Sequence, residues 1–237
     1  METAARAPGD RLLSVIVPVF DERNTVVEVI RRMRMVELPV GLQIVVVDDG
    51  SRDGTSDVLR HLGDSTVKVV SHARNRGKGA AIRTGLEHAT GDLVLVQDAD
   101  LEYDPEDWPK LLAPVLRGKA QVVYGSRFTG ERRNMLLLHW IGNRFLSLVT
   151  NVLYDTTLSD METCYKLFDR EVLRDITIRA SRFEFEPEVT AKVLKRGIRI
   201  YEVPISYAGR EVGEGKKVTW VDGFIALWTL VKYRFVD

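Results

Sequence analysis

Cysteine is almost absent from this chain of 237 residues. Cys164 stands alone, which excludes an internal disulfide and fits a reducing compartment. A lone thiol can act as a nucleophile, but a buried apolar filler is its commoner use. An excess of charge of one sign is missing too: Lys+Arg and Asp+Glu both number 34. Nothing therefore pulls the whole chain toward nucleic acid, and any basic function must come from a local patch. No uncharged run approaches the ~18 apolar residues of a membrane-spanning helix. The first ten residues hold no apolar stretch of the secretory kind, so no signal peptide is expected. His61, His72, His88 and His139 show no paired metal spacing, which leaves surface or core roles for each. Neither a Gly-x4-Gly-Lys-Ser/Thr loop nor a Gly-x-Gly-x-x-Gly fingerprint occurs, which counts against a dinucleotide-dependent dehydrogenase.

What is present is apolar patterning. Hydrophobic residues make up 45% of the chain, enough for a substantial core. Continuous apolar runs predict strands over 13–19, 43–47, 67–71, 93–97 and 121–125, with helical periodicity over 24–36, 55–61, 78–89 and 106–116 between them. That alternation predicts an α/β fold, a mostly parallel sheet with helices on both faces. No linker or repeat is visible. The expected division is a flexible stretch 1–10, a catalytic domain 11–217 and a C-terminal amphipathic helix 218–237. The second half predicts helices over 135–154 and 187–195 and a strand over 198–203. The segments 135–154 and 218–235 are apolar with basic margins, and two uses fit them: plain core helices, or interfacial helices lying on a bilayer.

Two predicted strands end in paired carboxylates. Val96-Gln97-Asp98-Ala99-Asp100 closes one, and Asp48-Asp49-Gly50-Ser51-Arg52-Asp53-Gly54-Thr55 follows another. In open α/β sheets ligands bind at the carboxyl ends of strands. Acidic pairs there are costly unless something positive sits with them, and a divalent cation holding a diphosphate answers that need. In the second motif Ser51 or Asp53 could simply cap a helix, but Asp48-Asp49 has no evident local partner. Arg74-Asn75-Arg76-Gly77-Lys78-Gly79 opens a helix whose amino end favours anions, with Arg74 and Lys78 adding charge.

In this order, Pro18-Val19-Phe20-Asp21-Glu22, Asp48-Asp49-Gly50-Ser51-x-Asp53-Gly54-Thr55, Asn75-x-Gly77-Lys78-Gly79 and Asp98-Ala99-Asp100 resemble the family 2 glycosyltransferases. Gly125-Ser126-Arg127-Phe128, Ser159-Asp160-x4-Tyr165-Lys166-Leu167-Phe168 and Val203-Pro204-Ile205-x4-Arg210-x2-Gly213-Glu214-x-Lys216 are similar to the polyprenyl-phosphate sugar synthases within it, the group of dolichyl-phosphate mannose synthase. The resemblance spans roughly residues 13–217.

It implies a GT-A fold and inverting transfer of a hexose from a nucleotide-diphospho sugar, GDP-mannose or UDP-glucose, to a polyprenyl phosphate. It implies a cation, Mg²⁺ or Mn²⁺, held by Asp100 with Asp98 or Glu102. Glu102 stands where related synthases often carry Gln. Pro18, Phe20, Glu22, Asp49, Lys78, Asp98 and Ala99 match positions around the nucleotide sugar. Arg127, Arg132, Arg210 and Lys216 are the expected acceptor-phosphate set, with Arg133 beside them, because guanidinium matches phosphate bidentately. Arg132-Arg133 also reads as a solvated loop. Asp160 matches an acidic position and would act as a base or orient the acceptor. Glu162 could do the same or pair with Lys166 four residues on. Glu184, Glu186 and Glu188 read as a helix start. The expected partners are the nucleotide sugar, the lipid, and a membrane protein or second copy, without nucleic acid. The expected location is cytoplasmic, peripheral on the cytoplasmic membrane face. Two other readings stay open: a glycosyltransferase with a soluble acceptor, and a non-catalytic nucleotide-sugar-binding protein.

Overall fold

The computed structural model describes residues 10–64, 66–210 and 220–236. Seven strands form one sheet: β1 (Leu12–Val19), β2 (Gly41–Asp48), β3 (Val67–Ser71), β4 (Leu93–Val96), β5 (Val122–Ser126), β6 (Lys166–Asp169) and β7 (Ile200–Pro204), in the order β3-β2-β1-β4-β6-β5-β7. The helices are α1 (Val26–Met35), α2 (Thr55–Arg60), α3 (Lys78–His88), α4 (Trp108–Leu116), α5 (Leu137–Tyr154), α6 (Arg170–Arg174), α7 (Phe185–Lys195) and α8 (Trp220–Phe235). Each strand and helix predicted from the patterning is found, with bounds shifted by a few residues; positions 218 and 219 of the last predicted helix lie outside the described residues.

β1 and β2 are rich in β-branched residues that suit a pleated surface packed on both sides. Leu13, Val15, Val17 and Val19 join the main core with Val26, Val29, Ile30 and Met33 of α1. Ile16 faces the opposite way with Ala89 and Val94. There α3 lies so close that a Cβ at Gly85 would stand 2.3 Å from Ile16 Cγ2. Gly85→Ala is therefore expected to destabilise the protein by about 1–3 kcal/mol through overpacking. That exceeds the ~0.5–1 kcal/mol alanine usually gains over glycine in a helix. Urea unfolding would read this as a lower midpoint.

The sheet is mostly parallel, as expected, and one of its strands is not among those predicted. β6 runs antiparallel between β4 and β5, pairing Leu95 with Leu167 and Val123 with Leu167. Its four residues, Lys166-Leu167-Phe168-Asp169, carry only two apolar side chains, too few to stand out as a run. The other neighbouring strands pair in parallel. The order reverses at β1, since β2 and β3 lie on one side and β4 on the other. Such a switch point opens a crevice at the carboxyl ends of the flanking strands.

Candidate active site

A cavity of about 1250 Å³ occupies that crevice. Pro18, Val19 and Phe20 at the end of β1 form one wall, and Asp98, Ala99 and Asp100 after β4 another. The β4 end is held from below by a buried polar triad. Trp108 Nε1 donates to Gln97 Oε1 at 3.2 Å, and Tyr165 OH donates to the same oxygen at 2.6 Å. Gln97 Nε2 in turn donates to the Asp98 carbonyl at 3.0 Å. Leu101 then adopts a left-handed φ of 64°, which turns the chain and lets Glu102 N donate to Asp100 Oδ1 at 3.1 Å.

Asp98, Asp100 and Glu102 all line the cavity. Burial, then the charges of Asp98 and Glu102, push the Asp100 carboxyl up to about 7. Arg210 spans this group. Its Nε and Nη2 donate to the Asp100 carbonyl at 2.9 and 2.7 Å, its backbone N donates to Glu102 Oε1 at 2.8 Å, and Nη2 pairs with Glu22 Oε2 at 2.8 Å. Arg210 thus ties the β1 loop to the acidic loop 110 residues away in sequence from Asp100. Among the described residues no three His, Cys, Asp or Glu side chains gather into a complete metal-ligand set. The donor chemistry still fits a hard cation. Two carboxylates one residue apart are typical of sites that complete their coordination with substrate phosphate and water oxygens.

The Asp48-Asp49 pair has local partners, contrary to the sequence reading. Asp48 accepts from Ser51 N at 3.0 Å and from the Ser56 hydroxyl. Asp49 accepts from Arg76 N at 2.9 Å, Gly77 N at 2.7 Å and His72 Nδ1 at 2.6 Å, while still lining the cavity. His72 is accordingly a structural partner of Asp49.

The amino end of α3 also differs from the expectation. Its first amides are spent on protein: Gly79 N donates to the Arg182 carbonyl and Ala80 N to the Ser181 carbonyl, both at 3.1 Å. A Cβ at Gly77, whose φ is +95°, would stand 2.2 Å from Ser181 O. The small residues thus admit the 180–182 segment, and these amides are not free for an anion. Arg74 is exposed and does not line the cavity. Lys78 does, bridging Asp98 Oδ1 and Glu186 Oε1, each at 2.9 Å. Burial alone would lower its pKa, but Asp98 and Glu186 hold it well above the ordinary lysine value.

Arg127, directly after β5, also lines the cavity. Its Nε and Nη2 meet the two oxygens of Asp160 at 2.7 Å each, and its backbone N donates to Asp160 Oδ2 at 2.9 Å. Burial would lower the Arg127 pKa, yet Asp160 raises it well above the usual value. Asp160 is fully buried, both its oxygens are taken, and it does not line the cavity. That arrangement suits orienting Arg127 and not drawing a proton from an acceptor. Arg132 likewise lies away from the cavity, its guanidinium on the Arg127 and Phe128 carbonyls, while its neighbour Arg133 lines the cavity. Lys216 lies outside the described residues. Glu162 does not pair with Lys166, whose Nζ donates to the Met161 and Thr163 carbonyls over the Tyr124 ring. Cys164 is buried, its thiol pushed up by burial and set 3.7 Å from the Val96 carbonyl, the environment of an inert filler.

Part of the cavity lining is apolar. Met135, Leu136 and Leu138 by the start of α5 and Trp220, Val221 and Ile225 of α8 contribute to it. The same two helices expose large apolar side chains, among them Leu138 (80%), Phe145 (51%), Phe224 (65%) and Trp228 (66%).

The sequence pattern described as Glycosyl transferase family 2 matches residues 14–177. The chain belongs to glycosyl transferase family 2. Its relatives include the UDP-N-acetylglucosamine–dolichyl-phosphate N-acetylglucosaminyltransferase of Methanococcus voltae, 27% identical over 247 residues, 95% of this chain and 97% of that one. The undecaprenyl-phosphate 4-deoxy-4-formamido-L-arabinose transferase of Edwardsiella ictaluri is 31% identical over 214 residues, 87% of this chain and 63% of that one. Among solved structures, glucosyl-3-phosphoglycerate synthase from Mycobacterium tuberculosis, in complex with Mn²⁺, uridine-diphosphate and glucosyl-3-phosphoglycerate, matches with a TM-score of 0.75 at 21% identity, over 96% of this chain and 81% of that one. That likeness concerns the fold, and the sheet is the GT-A arrangement that the motifs implied. The protein is a glycosyltransferase.

Arg133 and Glu162, both candidates from the sequence, line this glycosyltransferase's cavity, and so does Glu186, which sequence reasoning missed as a site residue. The odd spacing of Glu184, Glu186 and Glu188 was the available signal. Glu184 accepts from Ser181 N and Arg182 N, and Glu188 from Arg179 N and Ala180 N, as residues around a helix start do. Glu186 alone of the three lines the cavity.

Proposed function

We propose that this glycosyltransferase moves a hexose, mannose from GDP-mannose or glucose from UDP-glucose, to a polyprenyl phosphate with inversion, peripheral on the cytoplasmic face of a membrane. The observation that carries the reading is the mixed lining of the cavity: carboxylates and guanidinium groups together with apolar residues of α5 and α8, two helices that also expose large apolar side chains. An exposed apolar surface of this kind marks an interaction site, and amphipathic helices with basic margins bind bilayer interfaces. No described helix is long and apolar enough to cross a membrane, so these helices would lie along it. The similarity to transferases named for dolichyl and undecaprenyl phosphate supports the lipid acceptor. The single free cysteine supports the reducing side of the membrane.

In this reading Pro18, Phe20 and Asp49 border the nucleotide, and Asp98 and Asp100, with Glu102 beside them, would hold a divalent cation. The cation, when bound, supplies Lewis-acid stabilisation of the leaving diphosphate. Lys78 and Arg210 add positive charge on either side of that position. A lipid monophosphate is anionic near neutral pH, so an oxygen of it can attack the anomeric carbon without a general base as the bond to the diphosphate breaks. Arg127, aimed by Asp160, and Arg133 would hold that phosphate.

Transfer from radiolabelled GDP-mannose and UDP-glucose to a short polyprenyl phosphate in detergent tests the reading. A labelled lipid with one donor is the expected product. Chelation by EDTA should abolish it, and Mg²⁺ or Mn²⁺ should restore it. Metal-dependent donor hydrolysis without lipid product, together with failure to sediment with liposomes, would overturn the lipid acceptor.

A further inference from the structure

Two carboxyl groups on the cavity wall are left over by the assignments above. Glu162 lies in the loop before β6 and Glu186 in the first turn of α7, yet both line the same cavity. Oε1 of Glu162 and Oε2 of Glu186 are buried and have no hydrogen-bond partner among the described residues. The Glu186 side chain is only 6% exposed, and its other oxygen is fixed by Lys78, which also grips Asp98. A buried polar atom without a partner costs on the order of 1–3 kcal/mol, so native proteins seldom keep one without a use. Two of them, one from a loop and one from a helix, line the same cavity, and Glu186 is linked through Lys78 to Asp98 of the acidic loop.

We propose that Glu162 and Glu186 form the donor-sugar subsite, where they read hydroxyl groups of the transferred hexose. The inference rests on the nucleotide-sugar reading of this cavity and names what selects the sugar within it. Hydroxyls both donate and accept, and the pair offers both functions. Burial, and then the Glu186 charge, push Glu162 up to about 8, so at neutral pH it keeps a proton to donate. Glu186, whose other oxygen meets the Lys78 ammonium at 2.9 Å, accepts. The diphosphate would lie above them at Asp98 and Asp100, which puts the sugar next to Lys78. A site built to hydrogen-bond a hydroxyl discriminates strongly against a sugar that lacks it or points it elsewhere, because the protein group is then left unpaired.

Calorimetric titration separates sugar recognition from nucleotide recognition. The wild type, Glu162→Met, Glu162→Gln and Glu186→Gln would each be titrated with GDP-mannose, UDP-glucose and UDP-N-acetylglucosamine, and with GDP and UDP, all with Mn²⁺. Glu162→Met is expected to bind the preferred nucleotide sugar about tenfold or more weaker, the effect of one lost hydrogen bond to a buried group. Its affinity for the bare nucleoside diphosphate should stay within about twofold. Glu162→Gln, which keeps a donor and an acceptor, should retain most of the sugar contribution, and Glu186→Gln should lose part of it. Glu162→Met should also melt no lower than wild type, since it removes an unpartnered buried carboxyl; a merely structural Glu162 would melt lower and bind sugar unchanged. If folded Glu162→Met and Glu186→Gln keep the wild-type ratio of nucleotide-sugar to nucleoside-diphosphate affinity, the proposal is overturned while the nucleotide-sugar reading stands. If the wild type binds GDP and UDP but gains nothing from any of the three sugars, both fall.

Discussion

Asp100→Ala is expected to lower kcat/KM for sugar transfer by roughly 10²–10³-fold, the usual loss when one preorganised electrostatic stabiliser is removed. The geometry explains why the loss should not come from unfolding. Asp100 faces Asp98 and Glu102, and their charges together with burial lift its carboxyl to about 7. A group held against such repulsion strains the folded state and is relieved only by a positive ligand. Alanine removes the repulsion, so the melting temperature should hold or rise while transfer collapses. The Arg210 contacts to position 100 are to its carbonyl and survive the substitution. Adding Mn²⁺ should raise the melting temperature of the wild type and not that of Asp100→Ala. Full metal-dependent turnover in the variant would remove Asp100 from the cation site.

The second large effect is on stability. Arg127 and Asp160 form a bidentate pair that is nearly or wholly buried. Removing one partner leaves a buried charge uncompensated, at a cost of about 3–5 kcal/mol. Asp160→Ala and Arg127→Met should each lower the urea midpoint accordingly. The double variant should be destabilised by much less than the sum, since neither charge remains. Asp160 is itself set by Glu202 of β7, which accepts from the backbone N of Ser159 at 2.9 Å and of Asp160 at 3.1 Å. The double variant should regain stability without transfer, because the guanidinium assigned to the acceptor phosphate is gone. Additive losses in the two single variants would show that the pair contributes nothing as a pair.

The regular part of this fold was legible in the sequence because its signals are local. Apolar runs of β-branched residues and intervening helical periodicity marked five strands and four helices of the first half, and the carboxylates at the ends of β2 and β4 marked where a ligand would bind. Those features depend only on neighbours in the chain and on the rule that open parallel sheets bind ligands at their carboxyl edge. The motif order carried the family for the same reason.

What the tertiary structure decided was which side chains meet. β6 is too short and too polar to be seen as a strand until two neighbours accept it, and its insertion between β4 and β5 brings the loop with Asp160 and Glu162 to the cavity. Asp160 reads as a base or acceptor-orienting candidate from the family position it matches; the bidentate grip of Arg127, 33 residues away, suits it to orienting that guanidinium. The amino end of α3 reads as an anion site until the 180–182 carbonyls are found on its amides. Glu186 is indistinguishable in sequence from its neighbours Glu184 and Glu188, and only the tertiary contacts separate two residues that bind the amides of the preceding loop from one on the cavity wall. Periodicity and composition record what each segment buries. The partner of a polar group is set by contacts across the chain, and for the polar groups of this site those contacts determine the role.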